Sequence, residues 1–144
     1  MKIYLDNCCF NRPFDDQSQI RIRLESEAKL RIQDDILEGK FELVWSYILD
    51  AENSANPFEE RKRPIEDWRQ YAIINVKEQS LILEKAKNLS KLGLRNKDAL
   101  HISCALSAVC EYFLTTDDQV LNKGKLIENL VITDPTSFIR EVYL

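Results

Sequence analysis

Ile3-Tyr4-Leu5-Asp6, running on into Asn7-Cys8-Cys9-Phe10-Asn11-Arg12-Pro13, is the stretch that decides the fold of this chain. A short apolar run that stops at a carboxylate has the pattern of a central strand in a parallel sheet, buried on both faces. In open α/β sheets the ligand crevice lies just outside the carboxyl ends of the strands. Asp6 therefore falls where chemistry is usually done. Taken alone it is better explained as a turn or cap residue, a frequent use of Asp. The functional reading depends on whether other acids reach the same edge.

Outward from that strand, strand-like and helix-like segments alternate. Residues 18–38 carry Ile20, Leu24, Ala28, Ile32 and Ile36 at near-helical spacing, with Ser18 as the N-cap and Gly39 as the stop. Arg21, Arg23, Lys29 and Arg31 are expected on the flanks or outer face of this helix. Residues 41–45 read as a second strand, and Ser46 is placed to cap a helix over residues 47–54. Residues 57–70 are strongly polar and contain two prolines, which predicts a loop or broken helix. Residues 71–76 form a third strand, followed by a helix over residues 78–92 that stops at Gly93. Residues 97–111 are apolar almost all round after Asp98, which predicts a deeply buried helix. A strand at 112–115, a short helix to Gly124, a strand at 130–132 and a helix opened by Asp134-Pro135 complete the pattern. The alternation predicts an α/β fold with a central parallel sheet between helical layers, in a single domain over residues 1–144.

Composition narrows the class. With 44% hydrophobic and 31% charged residues the chain is ordinary globular material, and no stretch reaches the length of a membrane-spanning helix. The first apolar run breaks at Asp6, too early for a signal peptide, so the cytoplasm is the expected location. Cys8, Cys9, Cys104 and Cys110 match no metal-binding spacing and are expected to be reduced, mostly buried thiols. A single histidine argues against a histidine-rich zinc site. The net charge of −4 does not mark a nucleic-acid binder, so the placement of charge matters more than its sum.

Four places bring a carboxylate to the predicted carboxyl edge: Asp6, Glu52 with Asp50 two positions before it, Asp98, and Asp117 with Asp118 beside it. Each has an ordinary explanation. Asp98 lies in a first helical turn, where an acid suits the helix dipole. Asp117 and Asp118 suit a turn, and a helical Glu is usually solvated. Together they are harder to explain away, because like charges in a dry crevice oppose folding unless a cation neutralises them. Hard oxygen ligands without His or Cys suit Mg²⁺ or Mn²⁺, and such ions activate water for attack on a phosphodiester. Competing chemistries lack their motifs: there is no G-x-G-x-x-G, no P-loop and no G-x-S-x-G elbow. An aspartate-nucleophile phosphatase would need a second acid two positions after Asp6, where Cys8 stands.

In this order I-Y-L-D (3–6), the S-x5-E spacing from Ser46 to Glu52, K-D-A-L-H-I-S-C-A (97–105) and L-T-T-D (114–117) resemble the PIN-domain family along essentially the whole chain. The resemblance implies a three-layer α/β/α PIN-like domain that hydrolyses RNA, with Asp6, Glu52, Asp98 and Asp117 as its catalytic acids. Within that set it implies Asp6, Asp98 and Asp117 as ligands of Mg²⁺ or Mn²⁺, and Glu52 rather than Asp50 as the fourth acid. Compact bacterial members are commonly toxins of toxin–antitoxin pairs, so a homodimer and a small antitoxin protein are expected partners. Asn7 replaces the family's usual Thr or Ser, and Asp118 competes with Asp117. Asn7, Asp118 and the Thr115 hydroxyl are expected supports of the site, and Arg12, Arg61, Lys62, Arg63, Arg95 and Lys97 are candidate phosphate contacts. His101, one turn beyond Asp98, is read first as a structural residue of a buried helix. Two other readings stay open: a PIN-fold binding module with little catalysis, and a nuclease directed at DNA.

Overall fold

The computed structural model describes residues 1–144 throughout. β1 (Lys2–Leu5), β2 (Glu42–Ser46), β3 (Ala72–Val76), β4 (Tyr112–Leu114) and β5 (Val131–Thr133) form one sheet in the order β3-β2-β1-β4-β5. Every pairing is parallel, with Tyr4 opposite Val44 on one side and Phe113 on the other. The short apolar runs form these strands because both of their faces are covered; Ile3, Tyr4 and Leu5 are fully buried.

Chain direction across the sheet reverses next to β1. From β1 the chain steps to β2 and β3, then returns to the other side of β1 for β4 and β5. With right-handed crossovers this sends the segments after β1 and β2 to one face and those after β3 and β4 to the other. The first face carries α2 (Ile20–Leu37), packed against the closing helix α8 (Pro135–Tyr143), and α4 (Glu59–Glu66). The second carries α5 (Ser80–Ser90), packed along α6 (Asn96–Ser107), with α7 (Asp118–Gly124) following β4. Two short helices, α1 (Asn7–Asn11) and α3 (Tyr47–Ser54), start directly at the ends of β1 and β2. The predicted α/β/α layering is therefore present, and the switch point of the sheet falls between the carboxyl ends of β1 and β4, where a ligand crevice is expected. None of the helices is long and apolar enough to cross a membrane.

Several expectations need correction. Ser18 does not cap α2; Gln19 occupies that position without a side-chain cap bond, while the Ser18 amide donates to Asp16 Oδ1. Of the two readings of residues 57–70, the loop is not present and the broken helix is. These residues form α4, with Pro64 inside it, and then a 3₁₀ turn over Asp67–Tyr71. Lys29 is not on an outer face: it is buried between the rings of Phe10 and Trp68, 5.1 and 5.8 Å from its Nζ. Glu25 and Gln33 share its stripe at four-residue spacing and are buried too, while Ile20 and Leu24 are exposed. The segment after β1 causes this exchange. Arg12 lies over α2, pairs with Glu25 at 2.9 Å and draws that polar stripe inward. All four cysteines are free, and Cys9, Cys104 and Cys110 are buried as expected.

Two helix ends use the same geometry with different residues. At the end of α2, Gly39 sits at φ 79°, with the amides of Gly39 and Lys40 bonded back to Ile36 and Asp35. After α6, Val109 takes φ 57°, with the amides of Val109 and Cys110 bonded back to Leu106 and Ala105. A β-branched residue in the left-handed region costs about 1–2 kcal/mol. Its side chain is 73% exposed and contributes little packing in return. Val109→Gly should stabilise the protein by roughly 0.5–1 kcal/mol, because part of the relief is lost to the freer unfolded chain. A urea titration reads this directly, and an unchanged or lowered midpoint would show that the Val109 turn carries no strain.

Candidate functional site

Four carboxylates meet at the switch point because each strand there ends in, or passes directly into, the start of a helix. Asp6 closes β1 and caps α1, accepting the Asn7 amide at 2.8 Å. Asp117 follows β4 and caps α7 through Oδ1, which accepts the Val120 amide at 3.1 Å. Ser46 ends β2 and caps α3, and Glu52 lies two turns along that helix. Asp98 stands in the first turn of α6. Together Asp6, Glu52, Asp98 and Asp117 line one cleft of about 250 Å³ with Cys8, Arg95 and Lys97.

Asp6 is the innermost of the four, 5% exposed. Its Oδ2 accepts the Thr115 hydroxyl at 2.8 Å, and Thr115 Oγ1 in turn accepts the Asp117 amide at 3.2 Å. The Thr115 hydroxyl thus ties the ends of β1 and β4 together. The Cys8 thiol, 3.5 Å from the same Asp6 oxygen, is a cleft residue that the sequence reading treated only as a thiol to be buried. Asn7 donates to Glu52 Oε2 at 3.4 Å, while its own Oδ1 is buried without a hydrogen-bond partner.

The charges are unevenly balanced. Burial lifts the Asp98 carboxyl above its ordinary pKa; the hydrogen bond from Arg95 opposes this, and the charges of Asp6 and Asp117 add to it. Arg95 spans two of the acids, with its guanidinium 3.0 Å from Asp98 Oδ2 and 2.6 Å from Asp117 Oδ2. Burial also acts to raise Glu52, but the hydrogen bond and charge of His101, helped by Lys97 and Asn7, outweigh it and hold this carboxyl below its usual value. The His101 Nε2 hydrogen-bonds Glu52 Oε1 and lies 3.8 Å from Asp6 Oδ1. Asp6, Glu52 and His101 thus present three potential ligand atoms within 4.8 Å of one another.

The competing acids are placed elsewhere. Asp50 accepts the Trp45 indole N–H at 2.9 Å and pairs with Arg69. Asp118 is exposed and pairs with Arg21, 2.8 Å away, outside the acid cleft. Of the six basic candidates, Arg95 and Lys97 line the cleft. Arg12 and Arg61 are engaged inside the chain, both with Asp15 and Arg12 also with Glu25. Lys62 pairs with Glu59, and Arg63 is exposed on α4. An ion pair formed across 13 or 46 positions is invisible to a reading of local charge, which is why Arg12 and Arg61 looked free.

No family model matches this sequence, and no curated protein matches it. Solved structures do. A chain in the crystal structure of VapBC2 from Rickettsia felis bound to a DNA fragment from their promoter superposes with a TM-score of 0.59 at 15% identity, covering 93% of this chain and 98% of that one. A chain in the 2.2 Å structure of VapBC-1 from nontypeable Haemophilus influenzae also gives 0.59, at 20% identity, over 94% of this chain and 99% of that one. At such identities the likeness is one of fold: end to end, this chain has the three-layer PIN-like architecture.

Proposed function

We propose that this chain is a metal-dependent endoribonuclease and, from its likeness in fold to chains of two VapBC complexes, the toxin of a toxin–antitoxin pair held in check by a small antitoxin protein. The observation that carries the reading is the convergence of Asp6, Glu52, Asp98 and Asp117, drawn from four separate elements, on one cleft edged by Arg95 and Lys97. Four like-charged acids held together, one buried and three half-buried, are a costly arrangement to keep for stability alone.

The residues fit a hard divalent cation. Asp6, Asp98 and Asp117 line the cleft with hard oxygen donors, and the Arg95 guanidinium between Asp98 and Asp117 marks where positive charge is favoured. Asp6, Asp98 and Asp117 would hold Mg²⁺ or Mn²⁺, which when bound would supply a water of lowered pKa and offset charge on a scissile phosphate. Glu52, whose carboxyl His101 holds below its usual pKa, would orient an attacking water and accept its proton. Thr115 fixes the Asp6 carboxylate, and Lys97 with Arg95 holds the substrate's phosphates at the rim. To reach a phosphate, Arg95 would have to release Asp98 and Asp117.

Purified protein incubated with a looped RNA and a single-stranded DNA should cut the RNA in Mn²⁺ or Mg²⁺ and leave it intact in EDTA. RNA untouched in either metal would remove the catalytic reading, and preferential cutting of the DNA would move the substrate class.

A further inference from the structure

The acid cleft is backed by a hydrogen-bond chain that the four acids alone do not explain. Ser46 Oγ, at the end of β2, accepts the Leu49 amide and lies 2.6 Å from the Tyr4 hydroxyl of β1. That hydroxyl lies 2.5 Å from His101 Nδ1, on α6, and His101 Nε2 meets Glu52 Oε1 at the cleft. Ser46, Tyr4 and His101 are each fully buried. The Tyr4 ring is stacked on Phe113 at 5.2 Å and meets the imidazole edge-on at 5.6 Å, so its hydroxyl has one place to be.

The direction of this chain follows from what each group is able to do. An ionised carboxylate only accepts hydrogen bonds, so the nitrogen facing it carries the proton. In the neutral imidazole Nδ1 is then bare and accepts from the Tyr4 hydroxyl; in the imidazolium Nδ1 donates to that hydroxyl, and the Nε2–H facing Glu52 is the same in both. Ser46 Oγ accepts the Leu49 amide and completes the chain behind Tyr4 in either state. Glu52 has no comparable anchor: its other oxygen has only the long contact from Asn7, and its carboxylate stands at the end of a flexible side chain.

We propose that His101 is a positioning residue that clamps Glu52 in the cleft through an Nε2–H donor, with its ring held from behind by Tyr4 and Ser46. The role in cleavage rests on the nuclease reading above; the donor itself does not. Hydrogen bonds of this kind fix the angle of a reacting or ligating carboxylate, and their loss typically costs 10–100-fold in activity or metal affinity.

His101 is the only histidine in the chain, so ¹⁵N-histidine labelling of untagged protein gives a single imidazole to observe. Nε2 should carry a proton both without metal and in saturating Mg²⁺. A bare Nε2 in either state would overturn the clamp and make His101 an acceptor or a metal ligand. Two substitutions separate positioning from mere packing. Gln places a donor near the Nε2 position, whereas Asn reaches only as far as Nδ1. His101→Gln should keep kcat within about 3-fold, and His101→Asn should lower it about 10–100-fold with little change in KM. Equal losses in both variants, tracking a shared loss of thermal stability, would reduce His101 to a core residue. If neither folds, the labelled wild type still decides the question. A wild type that cuts no RNA yet shows a protonated Nε2 would remove the nuclease and leave the clamp standing.

Discussion

Asp98→Asn protein is expected to melt at the same temperature as the wild type or higher, and to cleave RNA at least about 100-fold more slowly in Mn²⁺. The two effects have one origin. Asp98 is charged in a half-buried place beside Asp6 and Asp117, and its raised pKa shows that the folded protein resists that charge even with Arg95 bonded to it. A raised carboxyl binds its proton more readily in the folded state than in the unfolded one. The folded protein therefore loses stability as pH climbs from the ordinary carboxylate range through the raised value. Asn has the same shape without the charge, keeps an oxygen for Arg95, and removes this loss. The same change takes away a negative oxygen donor from the proposed cation site, where the ion is worth several kcal/mol to the transition state, or two decades and more in rate. Single-turnover cleavage and thermal melts on one preparation test both. A mutant that cuts at the wild-type rate would take Asp98 out of the chemistry, and one that melts far lower would mean the acid is there for the fold.

Replacing Lys29 by Met should raise stability at pH 7 by about 2–3 kcal/mol. Burial takes the pKa of this amine from 10.5 to about 7, and no carboxylate lies against it; Cys9 supplies the only opposing influence. A gap of that size corresponds to on the order of 4 kcal/mol at neutral pH. The ring contacts with Phe10 and Trp68 return about 1 kcal/mol when the amine is charged, and Met gives those up while filling a similar volume. A lysine with a lowered folded pKa costs most below about pH 7, where it is charged in both states. The cost fades as pH rises from about 7 towards 10.5, so this residue makes the wild type gain stability with pH over that window. Lys29→Met should flatten the slope. Urea unfolding at several values between pH 6 and pH 9 measures it, and parallel curves for the two proteins would show that Lys29 is neutralised by some route other than burial.

The sequence made the order of strands and helices plain, because fully buried parallel strands are short apolar runs and helix stops fall at residues such as Gly39. It also brought Asp6, Glu52, Asp98 and Asp117 to one edge, since strand ends and first helical turns follow from local pattern. What it hid depends on contacts between distant segments. Lys29 lies on a polar stripe that looks solvated until Arg12 and Phe10 are laid across it. His101 looks like core filling until Tyr4, from the far end of the chain, is set 2.5 Å away. Arg12 and Arg61 look like free cations until Asp15 and Glu25 reach them. Even the choice between Asp50 and Glu52 is one of helix phase, decided here by the Trp45 indole that takes Asp50 away from the cleft.

The central place of β1 has a consequence for synthesis. Its acid, Asp6, is 109 positions from Thr115, whose hydroxyl secures it, and β4 cannot pair with β1 before that point of the chain has been made. At the usual pace of translation the apolar strand waits roughly 5–20 s with one flank unpaired. A growing chain therefore carries an exposed, sticky edge early and an assembled acid cleft only late. The cleft that gathers Asp6 and Asp117 cannot form until β4 has joined β1 in the sheet.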